Sequence, residues 1–318
     1  MKKVSIYFLI VMSMLACEKE SKIEKEIAKI DVNFETERFD RFFGEATPET
    51  LPKLMNAYPF MFSKKYPDSL WIAKLSDTLQ KQLYSEVDKT FGDFSEEDEI
   101  TLLFQHLSYH NKQFKAPRVI TATSNVDYRN KVIVTDSILL IALDTYLGSE
   151  HEFYGDISRY ITQNFKSEMI VSDIAEAYAK TYIYQGQRNT FLDDMIYFGK
   201  ILYFKDVMTP FKTDANKIGY TQEQLSWAEA NESNIWRYFV ENELLYSTNP
   251  KLAGRFINPG PFSKFNLEFD NESPGRIAQY IGWQIVRAYA KNNDVAFNDL
   301  LAKDAEDIFK NSRFKPQR

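Results

Sequence analysis

Apolar and polar positions follow three different rhythms along this chain. Val4 to Leu15 is an almost unbroken apolar run, interrupted only by Ser5 and Ser13. From residue 31 onward helical spacing dominates, because residues three and four apart share one face of a helix. Leu51, Leu54, Met55 and Tyr58 form one such stripe. It is opened by Thr47-Pro48-Glu49, where proline suits a first turn and glutamate complements the helix dipole. Pro67-Asp68-Ser69 opens a longer stripe with Leu70, Ala73, Leu75, Leu79, Leu83 and Val87 on its buried side. Ser95 and Asp98 form a capping-box-like start, after which Ile100, Leu103, Phe104 and Leu107 carry a helix to about His110.

After Pro117 the rhythm shortens. Val119–Thr123, Lys131–Thr135 and Ile138–Leu143 are rich in Val, Ile and Thr and are separated by Asn125, Asp127 and Asp136, which predicts a small antiparallel sheet. Helical spacing returns over Ile170–Tyr184, Thr190–Phe204 and Thr221–Tyr246. A last helix is predicted to start at Ser273-Pro274, with Ile277, Tyr280, Ile281, Gln284, Ile285 and Ala288 in register and Gly282 admitting a neighbouring backbone. Asn258-Pro259-Gly260-Pro261 forces a loop, since two prolines flanking a glycine continue neither helix nor ladder. With no repeat and no internal boundary, the pattern predicts a single, predominantly helical α+β domain over residues 31–318.

The first apolar run changes the picture of the whole chain. Preceded by Met1-Lys2-Lys3, it is too short to span a bilayer permanently and has the order of a secretory signal over residues 1–16. Met14-Leu15-Ala16-Cys17 resembles the bacterial lipobox, in which the cysteine is acylated and becomes the mature N-terminus. Cys17 is therefore the expected lipid-attachment site, holding the protein on a membrane of the cell envelope. Glu18-Lys19-Glu20, with no Asp directly after Cys17, favours the periplasmic side. Residues 17–30 are expected to form a charged tether.

Composition narrows the function further. Removing residues 1–16 takes away Lys2 and Lys3 and moves the net charge from −6 to −8, a poor match to nucleic acid. Cys17 is the sole cysteine, so no intramolecular disulfide forms and stability rests on packing, to which 19 Tyr, 25 Phe and 4 Trp contribute. These aromatics fall mostly within helical periods, which favours core use over a glycan-binding surface.

Candidate chemistry is sparse. His106 and His110 lie four apart on one helix side and have the spacing of a metal pair, but Leu103 and Leu107 share that side and no glutamate follows His106. Packing histidines are the favoured reading. The 271–293 segment reads first as a core helix. As a binding surface, Glu272, Arg276, Tyr280 and Arg287 would line a cleft together with Glu176.

Several segments then carry a family resemblance. The lipobox at Cys17, LDTYLG at 143–148, IYFGKILYFKD at 196–206, ENELLYSTNPKLAGRFINPGPFSKF at 241–265 and NESPGRIAQYIGWQIVRAYAKNN at 271–293 resemble the gliding-motility lipoprotein family GldB of Bacteroidota. That resemblance implies an envelope lipoprotein needed for surface gliding, with partners in the gliding apparatus and a link to type IX secretion. It also implies distant similarity to gluzincin-type zinc peptidases, whose HExxH motif holds zinc with two histidines and activates water with the glutamate. Glu176 stands where that glutamate would be, but Ala175 and Ala179 occupy the ligand positions, and no histidine follows His151. The expectation is a non-catalytic structural or assembly component, a pseudo-peptidase without cofactor. A hydrolase using Glu176 or the histidine pair, and a peptide- or glycan-binding module, are the alternatives.

Overall fold

A computed structural model describes residues 22–184, 187–267 and 270–317. The leader and Cys17 lie outside the described residues. Helical turns over residues 22–27 lie against the domain: Ile27 is buried, and Gln105 Nε2 donates to the Ile30 carbonyl at 2.9 Å. The packed domain thus begins before residue 31, where the charged sequence suggests a solvated tether.

Strand β1 (Thr36–Arg38) leads into helices α1 (Phe39–Gly44), α2 (Leu51–Ala57), α3 (Asp68–Ser76), α4 (Thr78–Thr90) and α5 (Glu97–His110). Strands β2 (Arg118–Ala122), β3 (Val132–Val134) and β4 (Ile138–Ala142) follow. The remainder is helical: α6 (Arg159–Thr162), α7 (Ile170–Tyr182), α8 (Phe191–Met208), α9 (Asp214–Ile218), α10 (Gln222–Ala230), α11 (Glu232–Glu241), α12 (Ile277–Asn292), α13 (Phe297–Ala302) and α14 (Ala305–Ser312).

The sheet is mixed, which corrects the antiparallel expectation. Its order is β1-β2-β4-β3, with β1/β2 and β2/β4 parallel and only β3/β4 antiparallel. The physical reason lies in the connections. A tight turn closes β3 onto β4, whereas α1 to α5 intervene between β1 and β2, and β3 takes the outer position, leaving β4 to pair with β2; parallel pairs need such long crossovers. Both faces of the central strands are consequently covered. Val119, Leu139 and Ile141 enter the main core, while Ile120 and Ala122 enter a smaller cluster with Phe39, Phe43, Leu51, Tyr58 and Phe62.

Two helices organise the main core. Where α8 crosses α12, a Cβ on Gly282 would lie 1.9 Å from the Met195 carbonyl oxygen, and one on Gly199 would lie 2.4 Å from the Gly282 carbonyl oxygen. Only glycine permits this approach, and Trp283 beside it is fully buried.

Three helix expectations change. Residues 67–90 form two helices, because Asp77 turns extended and caps α4 by accepting from Gln80 N–H; Leu70 and Leu79 are exposed rather than buried. The 221–246 stretch breaks at Asn231 and ends at Glu241. Helix α12 begins at Ile277 rather than Ser273, and its first N–H is accepted at 3.2 Å by Ser263 Oγ from the preceding loop, which local spacing cannot reveal.

Candidate functional site

Helix α7 forms the floor of a cleft of about 810 Å³. Asp173, Glu176, Ala177 and Lys180 recur at helical spacing and line it from one face. Strand β3 lines the cleft, as do the 160–165 segment and the Gly219-Tyr220, Pro259-Gly260 and Gly275-Arg276 turns; Lys205 enters from α8.

The acidic groups of the floor are already paired. Glu176 meets Lys180 Nζ at 2.9 Å and Lys205 Nζ at 3.0 Å. Lys205 is nearly inaccessible and also donates to the Lys217 carbonyl at 2.9 Å. Burial alone would raise the Glu176 carboxyl, but the Lys205 and Lys180 ammonium groups hold it far below the usual carboxylate range. Asp173 is bonded by Lys131 Nζ and, at 2.9 Å, by the Tyr146 hydroxyl. Burial and the Asp173 charge push the Tyr146 hydroxyl well above its ordinary pKa, so it remains a proton donor.

Arg276 stands at the rim with a positive φ of 62°, a left-handed backbone that strains a non-glycine residue by about 1 kcal/mol. Its Nη2 donates to the Gly219 carbonyl at 3.0 Å, an oxygen that also accepts from Asn164 Nδ2 at 3.0 Å, and its guanidinium lies 5.5 Å from the Tyr220 ring centre.

The LDTYLG stretch braces this architecture. Asp144 is fully buried and accepts from Ser124 N–H at 2.9 Å and Val126 N–H at 2.6 Å, holding a turn in which Asn125 and Val126 both have positive φ. Burial raises the Asp144 carboxyl against the pull of those N–H groups.

Of the five residues expected to share a cleft, Glu176 and Arg276 line this one and three do not. Tyr280 is buried and donates to Glu232 at 2.9 Å. Arg287 is spent on a brace: Nε meets Asp206 at 2.7 Å, Nη1 meets Asp214 at 2.8 Å, and the guanidinium stacks 3.7 Å from the Trp283 ring centre. Glu272 is exposed on the short Asp270–Glu272 turn. His106 is buried with its pKa pushed down to about 4 by burial, and His110 packs against Phe297. Among the described residues, no group of three or more His, Cys, Asp or Glu is arranged to hold a metal ion. Asp173, Lys131 and Lys205, central to the floor, escaped the sequence reading. The signal available was two lysines, Lys200 and Lys205, inside the otherwise apolar α8 stripe.

Fold and cleft together define an α+β domain whose α7 cleft has a cationic lining and an ion-paired floor. A family model described as gliding motility protein GldB matches residues 20–316, and the chain belongs to that family. Membership makes it a gliding-motility-associated lipoprotein of the envelope. Searches of curated proteins and of solved structures found no match, and the gluzincin resemblance gains no support from them. No helix among the described residues is long and apolar enough to cross a membrane.

Proposed function

We propose that this protein is a non-catalytic structural or assembly component of the gliding machinery, acylated at Cys17, facing the periplasm and engaging a protein partner through the α7 cleft. The observation that carries this reading is the state of the cleft floor. A general acid or base needs a group free to exchange a proton near neutral pH. Here Glu176 is held ionised between two lysines and Asp173 is engaged by Lys131 and Tyr146. The gluzincin-like reading rests on element order alone: an edge strand beside a helix bearing Glu176, with buried Ala175 and Ala179 where zinc ligands would stand.

The test is a double replacement, Glu176→Leu with Lys205→Met, in gliding cells. Exchanging an ion pair for apolar groups of similar volume is often tolerated. Normal protein level, retained gliding and retained co-purification of motility proteins are expected. Loss of gliding with partner capture intact would assign catalysis to Glu176 and overturn the reading. Protease added to intact cells is expected to leave the protein whole, and rapid loss would move it to the outer surface.

A further inference from the structure

The cleft's charge balance runs against that of the chain. Five cations line it, Arg129, Lys131, Lys180, Lys205 and Arg276, against the two carboxylates Asp173 and Glu176, in a protein of net charge −6. The three lysines are matched to those carboxylates, which leaves the half-buried Arg276 and the exposed Arg129, whose charge also acts on the neighbouring Asp127 carboxylate. Neither lies within salt-bridge distance of a carboxylate among the described residues. Each lies over a tyrosine, Arg129 at 5.0 Å from the Tyr128 ring centre and Arg276 at 5.5 Å from that of Tyr220. A guanidinium has five N–H donors, and among the described residues Arg276 makes one hydrogen bond, from Nη2 to the Gly219 carbonyl.

A second observation concerns the wall. Among the described residues, strand β3 pairs only with β4. Ala142 N–H donates to the Lys131 carbonyl and Thr135 N–H to the Ile138 carbonyl, both at 2.8 Å, so positions 131, 133 and 135 turn their backbone groups toward β4. By the alternation of an antiparallel ladder, Val132 and Val134 turn theirs to the free edge. Both residues line the cleft.

We infer that the cleft binds an acidic, extended peptide segment of a partner protein, which adds a strand to the free edge of β3 and places carboxylates on Arg276 and Arg129. This deepens the non-catalytic reading proposed above and rests on it. Main-chain bonds to Val132 and Val134 supply register, while the surplus arginines supply the preference for acidic side chains. Arg276 is half-buried in the concave wall, where screening is weaker than on an open surface, and Arg129 is exposed.

The experiment uses the full chain in detergent and a fluorescent, amidated peptide of four Thr-Glu repeats, with four Thr-Lys repeats and heparin as competitors. Two substitutions spare the fold. Arg276→Gly suits the left-handed backbone, and Val134→Pro removes an N–H that bonds to no strand. The expected result is saturable, salt-sensitive binding of the acidic peptide only, weakened about tenfold or more by each substitution, the order of one lost charge-assisted contact. No binding, unchanged binding in Arg276→Gly, or displacement by heparin ahead of the acidic peptide would overturn the inference. Mass spectrometry of the bound peptide separates the two claims: intact peptide supports both, whereas bound and cleaved peptide keeps the occupant and sinks the non-catalytic reading.

Discussion

Two clusters of charge in this molecule have similar ingredients and opposite character. In the brace, Arg287 is bidentate to Asp206 and also bonded to Asp214, Lys217 adds a contact to Asp206, and Trp283 covers the guanidinium. Every strong group there has its counterpart, and the result ties α8, α9 and α12 together. In the cleft, lysines consume both carboxylates and the half-buried Arg276 is left without a carboxylate partner among the described residues. Ionic density therefore does not mark the binding site; uncompensated charge beside unpaired backbone does.

Substitutions can break or sharpen that contrast. The largest effect is expected at the crossing that supports both clusters. Gly282→Ala places a methyl group against the Met195 backbone, which cannot swing aside, and should cost about 4 kcal/mol in urea denaturation, above the usual overpacking cost of about 1–3 kcal/mol. Retained stability would mean that α8 and α12 slide apart easily. Arg287→Ala follows, because it strands Asp206 without its main partner; a loss of about 3 kcal/mol is expected, and a negligible change in melting temperature would show the brace to be ornamental.

His106 offers a third regime, in which burial outweighs a neighbouring carboxylate, Glu24, at 3.5 Å. Its pKa falls from 6.5 to about 4 on folding, so the unfolded chain takes up the proton first as pH drops. The stabilisation is present above pH 6.5 and disappears between 6.5 and about 4, a change of roughly 3 kcal/mol. His106→Met should flatten the stability profile across that interval, and an unchanged slope would assign it to other groups. The smallest effect is expected for Arg276→Gly, which relieves a left-handed backbone and loses one bond to Gly219. Its stability should stay within about 1 kcal/mol of the parent. A large loss would move Arg276 from the cleft's class into that of the brace.

Much of the helical layer was legible because its apolar stripes are long: α7 and α8 lie where periodicity places them, α12 does so apart from its start, and Gly282 makes the close approach its position suggests. Strand direction was not. β1 has only three residues and pairs with β2 across five intervening helices, a contact that no local pattern encodes. The cleft was half legible. Glu176 and Arg276 were found by separate routes, but Asp173, Lys131 and Lys180 on amphipathic elements look like a solvated face until the fold turns that face inward. Arg287 and Tyr280 misled for the converse reason, since polar groups on a core helix can serve other helices rather than a ligand.

The docking of Ile27 also sets a reach. Residues 22–27 lie against the domain, and five peptide links separate Cys17 from Lys22 in the sequence. Even drawn straight, these span roughly 17 Å. A lipid on Cys17 would keep the body of the protein skimming the bilayer surface, on a leash too short to cross the envelope. With Cys17 acylated as proposed, partners would have to come to the membrane to meet it.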